Sequence, residues 1–418
     1  MKYQEQIQAF VNHFKKTEVH ETKNKIGVEF EHFVLNSDLS AVSYYGENGV
    51  ESLLKTLSEK NWNPVFENEH LIGLEKDDAS ITLEPGAQLE ISIRPCLKLS
   101  KIKKIYKDIL ENLRSILKKR KQILAVLGYQ PETSIADIEL LPKKRYDYMY
   151  DYFSDKGKYA HNMMKGTASI HVNIDYIDEN DYIKKMRSAY FLTPIIYYLF
   201  DNTPYFEGRE SNKASIREKI WSNCDDQRSV LIDGVFDKNF GYSDYAEYLL
   251  NTPPIIAKKN NQIYYSRNKL LREVMDSGDK KDIEHYLGMV FPDVRSKKYI
   301  EIRAADAIPY PYNLGYTAML EGLLYNQKNL NKIYNKSLKY NQQQFLEFRH
   351  SLINDKNNPK RNDLIEELIL MADSALAENR KYLEYVKEIY FQHQKAKSKT
   401  LKSSAKSKKE ALAWCILD

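Results

Sequence analysis

Cysteine is scarce: Cys96, Cys224 and Cys415 are the only three in 418 residues. They lie far apart and show no CxxC or Cys/His spacing, which excludes a disulfide framework and a cysteine-built zinc site. Long apolar runs are missing too. No stretch approaches the length that crosses a bilayer, and the opening MKYQEQIQAFVNHF lacks the apolar core of a secretion signal. The expectation is therefore a soluble, cytoplasmic protein with no membrane partner. Neither GxxxxGKS/T nor GxGxxG occurs, so P-loop and Rossmann nucleotide sites are excluded. Net charge is also small: 63 Lys+Arg against 58 Asp+Glu leaves +5, too little to mark a specific nucleic-acid binder. Much of that excess is local, because seven lysines fall between Lys395 and Lys409 among small polar spacers. Such a run reads as a flexible basic tail, 393–418, appended to a single catalytic domain, 1–392. The terminal Cys415-Ile416-Leu417-Asp418 has the outline of a prenylation box, but aspartate in the last place is a poor match.

The chain is long enough to bury a sizeable core. Apolar residues at helical spacing from Ile102 to Leu127, with Gly128 as a stop, predict an amphipathic helix. Further helices are predicted over 362–390 and 184–199, the latter interrupted by Pro194. Short strand signals fill much of the remainder, giving an α+β class.

Four segments alternate apolar and polar residues, which sorts their side chains to opposite faces of a sheet. They are IGVEFEHF (26–33), ITLEPGAQLEISI (81–93), TASIHVNIDY (167–176) and YIEIRAAD (299–306). If they share one sheet, its polar face gathers Glu29, Glu31, Glu84, Glu90, Asp175 and Glu301, with His171 and Arg303 beside them. A solvated sheet surface would give the same alternation. Against that, these positions hold almost no lysine in a lysine-rich chain, and a face of one sign becomes stable when cations occupy it. Oxygen-rich sites of this kind suit Mg²⁺ or Mn²⁺ together with phosphate oxygens. A nucleotide would then be held mainly through the metals.

The segments IGVEFEHF, LEPGAQLEIS, the His171-Val172-Asn173 strand, SIREKIW (215–221), DDQR (225–228) and FPDVRSKKYIEIRAADAIP (291–309) occur in the order of the signature segments of glutamate–cysteine ligases. The resemblance spans roughly residues 20 to 325 and is closest to the plant-type and related bacterial branch. It implies a glutamine-synthetase-like fold, a curved, mainly antiparallel sheet forming a funnel flanked by helices. It also implies ATP- and Mg²⁺-dependent joining of the γ-carboxylate of L-glutamate to the amine of L-cysteine through γ-glutamyl phosphate. The product, γ-glutamylcysteine, is that of the first step of glutathione biosynthesis.

Carried over by position, Glu29, Glu31, Glu84, Glu90 and Glu301 match metal-binding glutamates. His171 matches a position that is histidine in some branches and glutamine in the plant type. Arg303 and Glu301 match catalytic positions beside the transferred phosphoryl group. Arg217, with Trp221 in the same segment, matches the site that grips the α-carboxylate of glutamate, and Arg228 is a weaker candidate nearby. Neutralising Glu29 or Glu301 is thus expected to abolish turnover and leave the fold intact. Two departures stand out. Ala87 occupies a turn position where glycine is usual, and the cysteines that switch plant members have no counterparts, so no disulfide control is expected. A relative that accepts another amine, or a non-catalytic protein on the same scaffold, are the competing readings; oligomeric state is not indicated.

Overall fold

Period-two alternation becomes a sheet here because the apolar half of each segment has a helical layer to bury against. The computed structural model describes residues 1–19, 24–259, 262–401 and 407–417. Its main sheet is built from β1 (Ile26–Asn36), β2 (Asn63–Glu67), β3 (His70–Glu75), β4 (Ala79–Leu83), β5 (Leu89–Cys96), β6 (Gln122–Ala125), β7 (Ser169–Ile174), β8 (Val294–Ser296), β9 (Ile300–Asp306) and β10 (Ile416–Leu417). Eight strands run in the order β8-β9-β7-β1-β5-β4-β3-β2, while β6 pairs with the far end of β1 and β10 with β6. Every pairing in it is antiparallel, and the sheet does not close. The four segments singled out by alternation thus lie side by side as β9, β7, β1 and the β5–β4 hairpin.

On one face Val28, Phe30, Ile81, Ile91, Val172 and Ile302 are each at most 2% exposed. They are covered in part by the helices Leu99–Lys119, Glu179–Leu199 and Tyr312–Leu324, which pack on the strands. Each such aliphatic side chain contributes roughly 1.5–3 kcal/mol by leaving water. His32 shares this face. It is fully buried between the Leu89 carbonyl and the Tyr106 hydroxyl, and burial depresses its pKa to about 4, keeping the ring neutral.

Three helix expectations are adjusted. The helix expected over 102–127 ends at Lys119: Lys121 takes a left-handed conformation, φ 56°, and the adjacent Ile123 and Leu124 then belong to β6. The block 362–390 is split into Pro359–Ala375 and Arg380–Glu388. Conversely, Pro194 lies inside the unbroken helix Glu179–Leu199. Proline removes the amide that would bond the Tyr190 carbonyl, and the Thr193 hydroxyl donates there instead at 2.9 Å.

The segment expected to be a flexible tail carries helices, a strand and buried side chains among its described residues. Leu412 and Cys415 are fully buried, Lys397 is 2% exposed, and β10 adds itself to the sheet edge beside β6. Residues 402–406 and Asp418 lie outside the described residues. All three cysteines are free and buried. Among the described residues no helix is long and apolar enough to cross a membrane.

A buried carboxylate in the helical layer gives a pH prediction. Burial raises Glu321 from the ordinary glutamate range to about 7, although Asn379 donates to both of its oxygens. A raised folded-state pKa means that its contribution is full below the unfolded pKa near 4.5 and is lost as pH rises through about 7. The loss amounts to up to about 3 kcal/mol. Glu321→Gln is therefore expected to raise the melting temperature at pH 8 and to leave it nearly unchanged at pH 4.5. A difference independent of pH would contradict this assignment.

Candidate active site

The polar face of the sheet forms one wall of a cavity of about 370 Å³, closed over by the helices Lys144–Phe153, Ala160–Gly166 and Ile216–Trp221 and by residues 288–291. Strand register brings the acids together. Glu31 stands directly opposite Glu90 across β1 and β5, and Glu29 stands between Ser92 of β5 and His171 of β7. Ligand atoms of Glu29, Glu90 and His171 lie within 4.8 Å of one another. Glu84 joins them from the β4–β5 turn.

That turn is tight for a specific reason. A Cβ on Gly86 would sit 2.4 Å from the Lys165 carbonyl oxygen, so only glycine fits. The next residue, Ala87, has φ 61°, the positive value that the glycine-to-alanine departure put in question. Left-handed alanine costs about 1–2 kcal/mol, partly offset by about 0.8 kcal/mol from burying its methyl. Gln88 fixes the turn by accepting from Gly86 N and donating to the Met164 and Thr167 carbonyls.

Hydrogen bonds set each acid differently. Glu29 accepts from His171 Nδ1 at 2.7 Å and from Asn173 Nδ2 at 3.0 Å. Burial and Glu301 push Glu29 upward, but the His171 hydrogen bond and Lys297 outweigh them and hold it at about 2. Glu31 has one strong donor, Ser169 N at 2.7 Å; burial and then the charge of Glu84 raise it to about 8. Glu90 accepts from the hydroxyls of Thr82 and Ser92, yet burial and the neighbouring Glu29, Glu84 and Glu31 raise it well above the usual range. Without a cation, then, Glu31 keeps a proton at neutral pH, and Glu90 is pushed in the same direction. His171 is held down to about 4 by burial and by Arg303, so its imidazole is neutral and able to act as a ligand.

A cationic group stands beside these acids and acts on them, Lys297 on Glu29, Arg217 and Arg303 on Glu31. Glu301 is fully buried and accepts from Arg295 Nε at 2.6 Å, Lys297 Nζ at 3.0 Å and Arg303 Nη1 at 3.0 Å. Burial opposes its ionisation, but Arg295, Lys297 and Arg303 hold its pKa well below the usual range. Arg217 donates twice to the Arg303 carbonyl, through Nε at 3.2 Å and Nη2 at 2.9 Å. Its Nη1, like Trp221 Nε1, is buried with no partner among the described residues. The Trp221 ring lies 5.2 Å from the Arg217 guanidinium and 5.7 Å from that of Arg303.

Eight of the residues named from sequence therefore line one cavity: Glu29, Glu31, Glu84, Glu90, His171, Arg217, Trp221 and Arg303. Glu301 lies behind the wall as the anchor of three cations. Arg228 is elsewhere: its guanidinium bonds Asp225 at 2.7 Å, the Tyr152 hydroxyl at 2.6 Å and the Met289 carbonyl, with its side chain fully enclosed. It braces the loop after the Ile216–Trp221 helix. Asp175 also lies outside the cavity, where its backbone amide bonds the Tyr325 hydroxyl. Arg295, Lys297 and Arg145 also line the cavity and correct the picture of a face of one sign. Arg295 and Lys297 alternate with Val294 and Ser296 over a stretch too short for the pattern to stand out, and Arg145 stands on the helix Lys144–Phe153.

The donor set, several carboxylates and a neutral imidazole, fits a hard divalent cation. The upward shifts of Glu31 and Glu90 point to the same need, because a bound cation would take the place of a proton as the balancing charge. Arg217 Nη1 and Trp221 Nε1 offer hydrogen-bond donors to an anionic group.

Residues 25–398 match the model of the glutamate-cysteine ligase family 2. The chloroplastic glutamate–cysteine ligase B of Oryza sativa subsp. japonica is 30% identical over 375 residues, covering 86% of this chain and 75% of its own. The chloroplastic glutamate–cysteine ligase of Arabidopsis thaliana is 30% identical over 322 residues, covering 75% of this chain and 62% of its own. Among solved structures, glutamate–cysteine ligase from Francisella tularensis in complex with AMP aligns with a TM-score of 0.53 at 14% identity, over 95% of this chain and 88% of that one, a likeness of fold. The chain belongs to glutamate-cysteine ligase family 2 and is a ligase.

Proposed function

We propose that this cavity joins the γ-carboxylate of L-glutamate to the amine of L-cysteine, with ATP as phosphoryl donor, giving γ-glutamylcysteine, ADP and phosphate. The observation that carries the reading is the pairing, in one cavity, of an acid cluster that needs a cation with a buried arginine whose Nη1 is unmatched. Glu29, Glu31, Glu84, Glu90 and His171 would hold Mg²⁺, with Mn²⁺ as a substitute. The metal would supply charge neutralisation and a template for the phosphate oxygens of ATP.

The chain's own groups do the rest. Arg217, braced on the Arg303 carbonyl, takes the α-carboxylate of glutamate as a charge-assisted partner. Arg303, fixed by Glu301, faces the transferred phosphoryl group and balances charge that develops there. A γ-carboxylate oxygen bonds the γ-phosphorus as the bond to the ADP oxygen breaks. The amine nitrogen then bonds the acyl carbon and gives up a proton to solvent as the acyl C–O bond breaks, and phosphate leaves with the carboxylate oxygen. Met149, Met163, Met164 and Phe291 give one side of the cavity an apolar surface, which supports a small thiol-bearing acceptor over a charged one.

The test is phosphate release with glutamate, ATP and Mg²⁺ across a panel of amines. Cysteine is expected to give the highest kcat/KM, 2-aminobutyrate to follow, and lysine or ammonia to give little. A preference for a charged amine would overturn the acceptor assignment.

A further inference from the structure

The lysine-rich C-terminal segment has no place in the chemistry above, yet the amines of its described lysines are docked at defined acceptors. Lys395 bonds Asp201, Lys399 bonds Glu388 and the Tyr312 hydroxyl, Lys408 bonds Glu132 and the Gly208 carbonyl, and Lys409 bonds the Ser37 carbonyl. Lys397 is different in what it joins. Its backbone amide donates to the Asp201 carbonyl at 2.6 Å and its ammonium to the Lys213 carbonyl at 2.9 Å. Asp201 and Lys213 are the two ends of one loop, which leaves the helix Glu179–Leu199 and enters the helix Ile216–Trp221.

That second helix is only six residues long, too short to hold its own place. Its N-cap, Ser215, lies two residues beyond the carbonyl that Lys397 grips, and Arg217 lies two residues further. The loop's opposite side is tied to the catalytic sheet, where Asn202 N and the Thr203 hydroxyl donate to Asp306, three residues after Arg303. The arginine is therefore set from two directions, by β9 through the Arg303 carbonyl and by the C-terminal segment through Lys213.

We infer that Lys397 is a positioning residue for the substrate-binding arginine: it clamps the loop before the Ile216–Trp221 helix and so sets how Arg217 meets the carboxylate of glutamate. The inference rests on Arg217 being the glutamate-binding arginine. A displaced clamp weakens glutamate binding more than it slows chemistry on bound glutamate, because the phosphoryl-transfer groups stand on strands that Lys397 does not touch.

The experiment compares Lys397→Met, Lys397→Arg and Lys399→Met in the full chain by steady-state kinetics and by amide hydrogen exchange over residues 211–224. Lys397→Met is expected to raise KM for glutamate about tenfold, with kcat and KM for ATP within about twofold of the native values. It should also speed exchange over 211–224. Lys397→Arg, which keeps the donor, should restore most of the affinity. Lys399→Met loosens the same segment at contacts that do not reach the loop, and should leave KM for glutamate unchanged. If Lys397→Met does not fold, Lys397→Gln, too short to reach the Lys213 carbonyl, serves in its place. Native KM and native exchange in Lys397→Met would overturn the inference, as would an equal rise in KM from Lys399→Met. If the native chain shows no glutamate-dependent turnover, the functional reading fails on its own account, and the exchange measurement alone decides whether Lys397 is the clamp.

Discussion

Glu90→Gln is expected to lower turnover at saturating substrates about a thousandfold, the effect of removing several kcal/mol of metal-borne charge stabilisation, and to leave the urea unfolding midpoint unchanged. The separation of the two effects is the point of the choice. Burial and three neighbouring glutamates push Glu90 towards its protonated form when no cation is present. Glutamine reproduces the shape of that neutral form and still offers an oxygen to the hydroxyls of Thr82 and Ser92. The fold therefore has nothing to lose, whereas a cation loses a charged ligand. Glu29→Gln should reduce turnover to a similar degree. Raised Mg²⁺ should recover part of the activity in either variant, because the missing ligand weakens affinity as well as rate. Turnover within tenfold of native in both variants would remove the acid cluster from the chemistry.

Glu301→Gln is expected to be the most destabilising of the conservative changes at the site, by about 3–5 kcal/mol. The sequence-based expectation was loss of turnover with an intact fold. The structure changes that expectation, because Glu301 is the shared partner of Arg295, Lys297 and Arg303 and is 0% exposed. Glutamine would leave these cations facing one another without their anion. The urea midpoint should fall, while Glu301→Asp, which keeps the charge, should recover part of the loss. A Glu301→Gln midpoint equal to the native one would show that the cations find other partners, and Glu301 would then return to the set of direct metal ligands.

Alternation gathered the acids of this site onto one face, but a solvated surface would alternate in the same way, and the ordered motifs separated the two readings. Across residues 28–31, 89–93, 170–174 and 300–303 apolar and polar residues alternate, and register does the rest, since one shared face must carry what the other face rejects. The cationic group was not readable in the same way: β8 is three residues long, too short for a period-two pattern to stand out. Arg228 was misplaced because its motif surroundings outweighed a local signal, Asp225 three residues before it, that marks an ion pair. The C-terminal segment was misread for a different reason. Its lysines look solvated when only neighbours in sequence are considered, but the acceptor of Lys397 is a main-chain carbonyl 184 residues away, and composition carries no trace of such a bond. The helix end at Lys119 depended on one left-handed residue, Lys121, which no apolar spacing records.

The most direct test of the phosphoryl-transfer reading follows oxygen. Glutamate labelled with ¹⁸O in its γ-carboxylate is incubated with the enzyme, ATP, Mg²⁺ and cysteine, and the released phosphate is analysed by mass. Transfer through γ-glutamyl phosphate predicts one labelled oxygen in each phosphate formed, with none in ADP. Phosphate without label, at a rate equal to that of γ-glutamylcysteine formation, would contradict it.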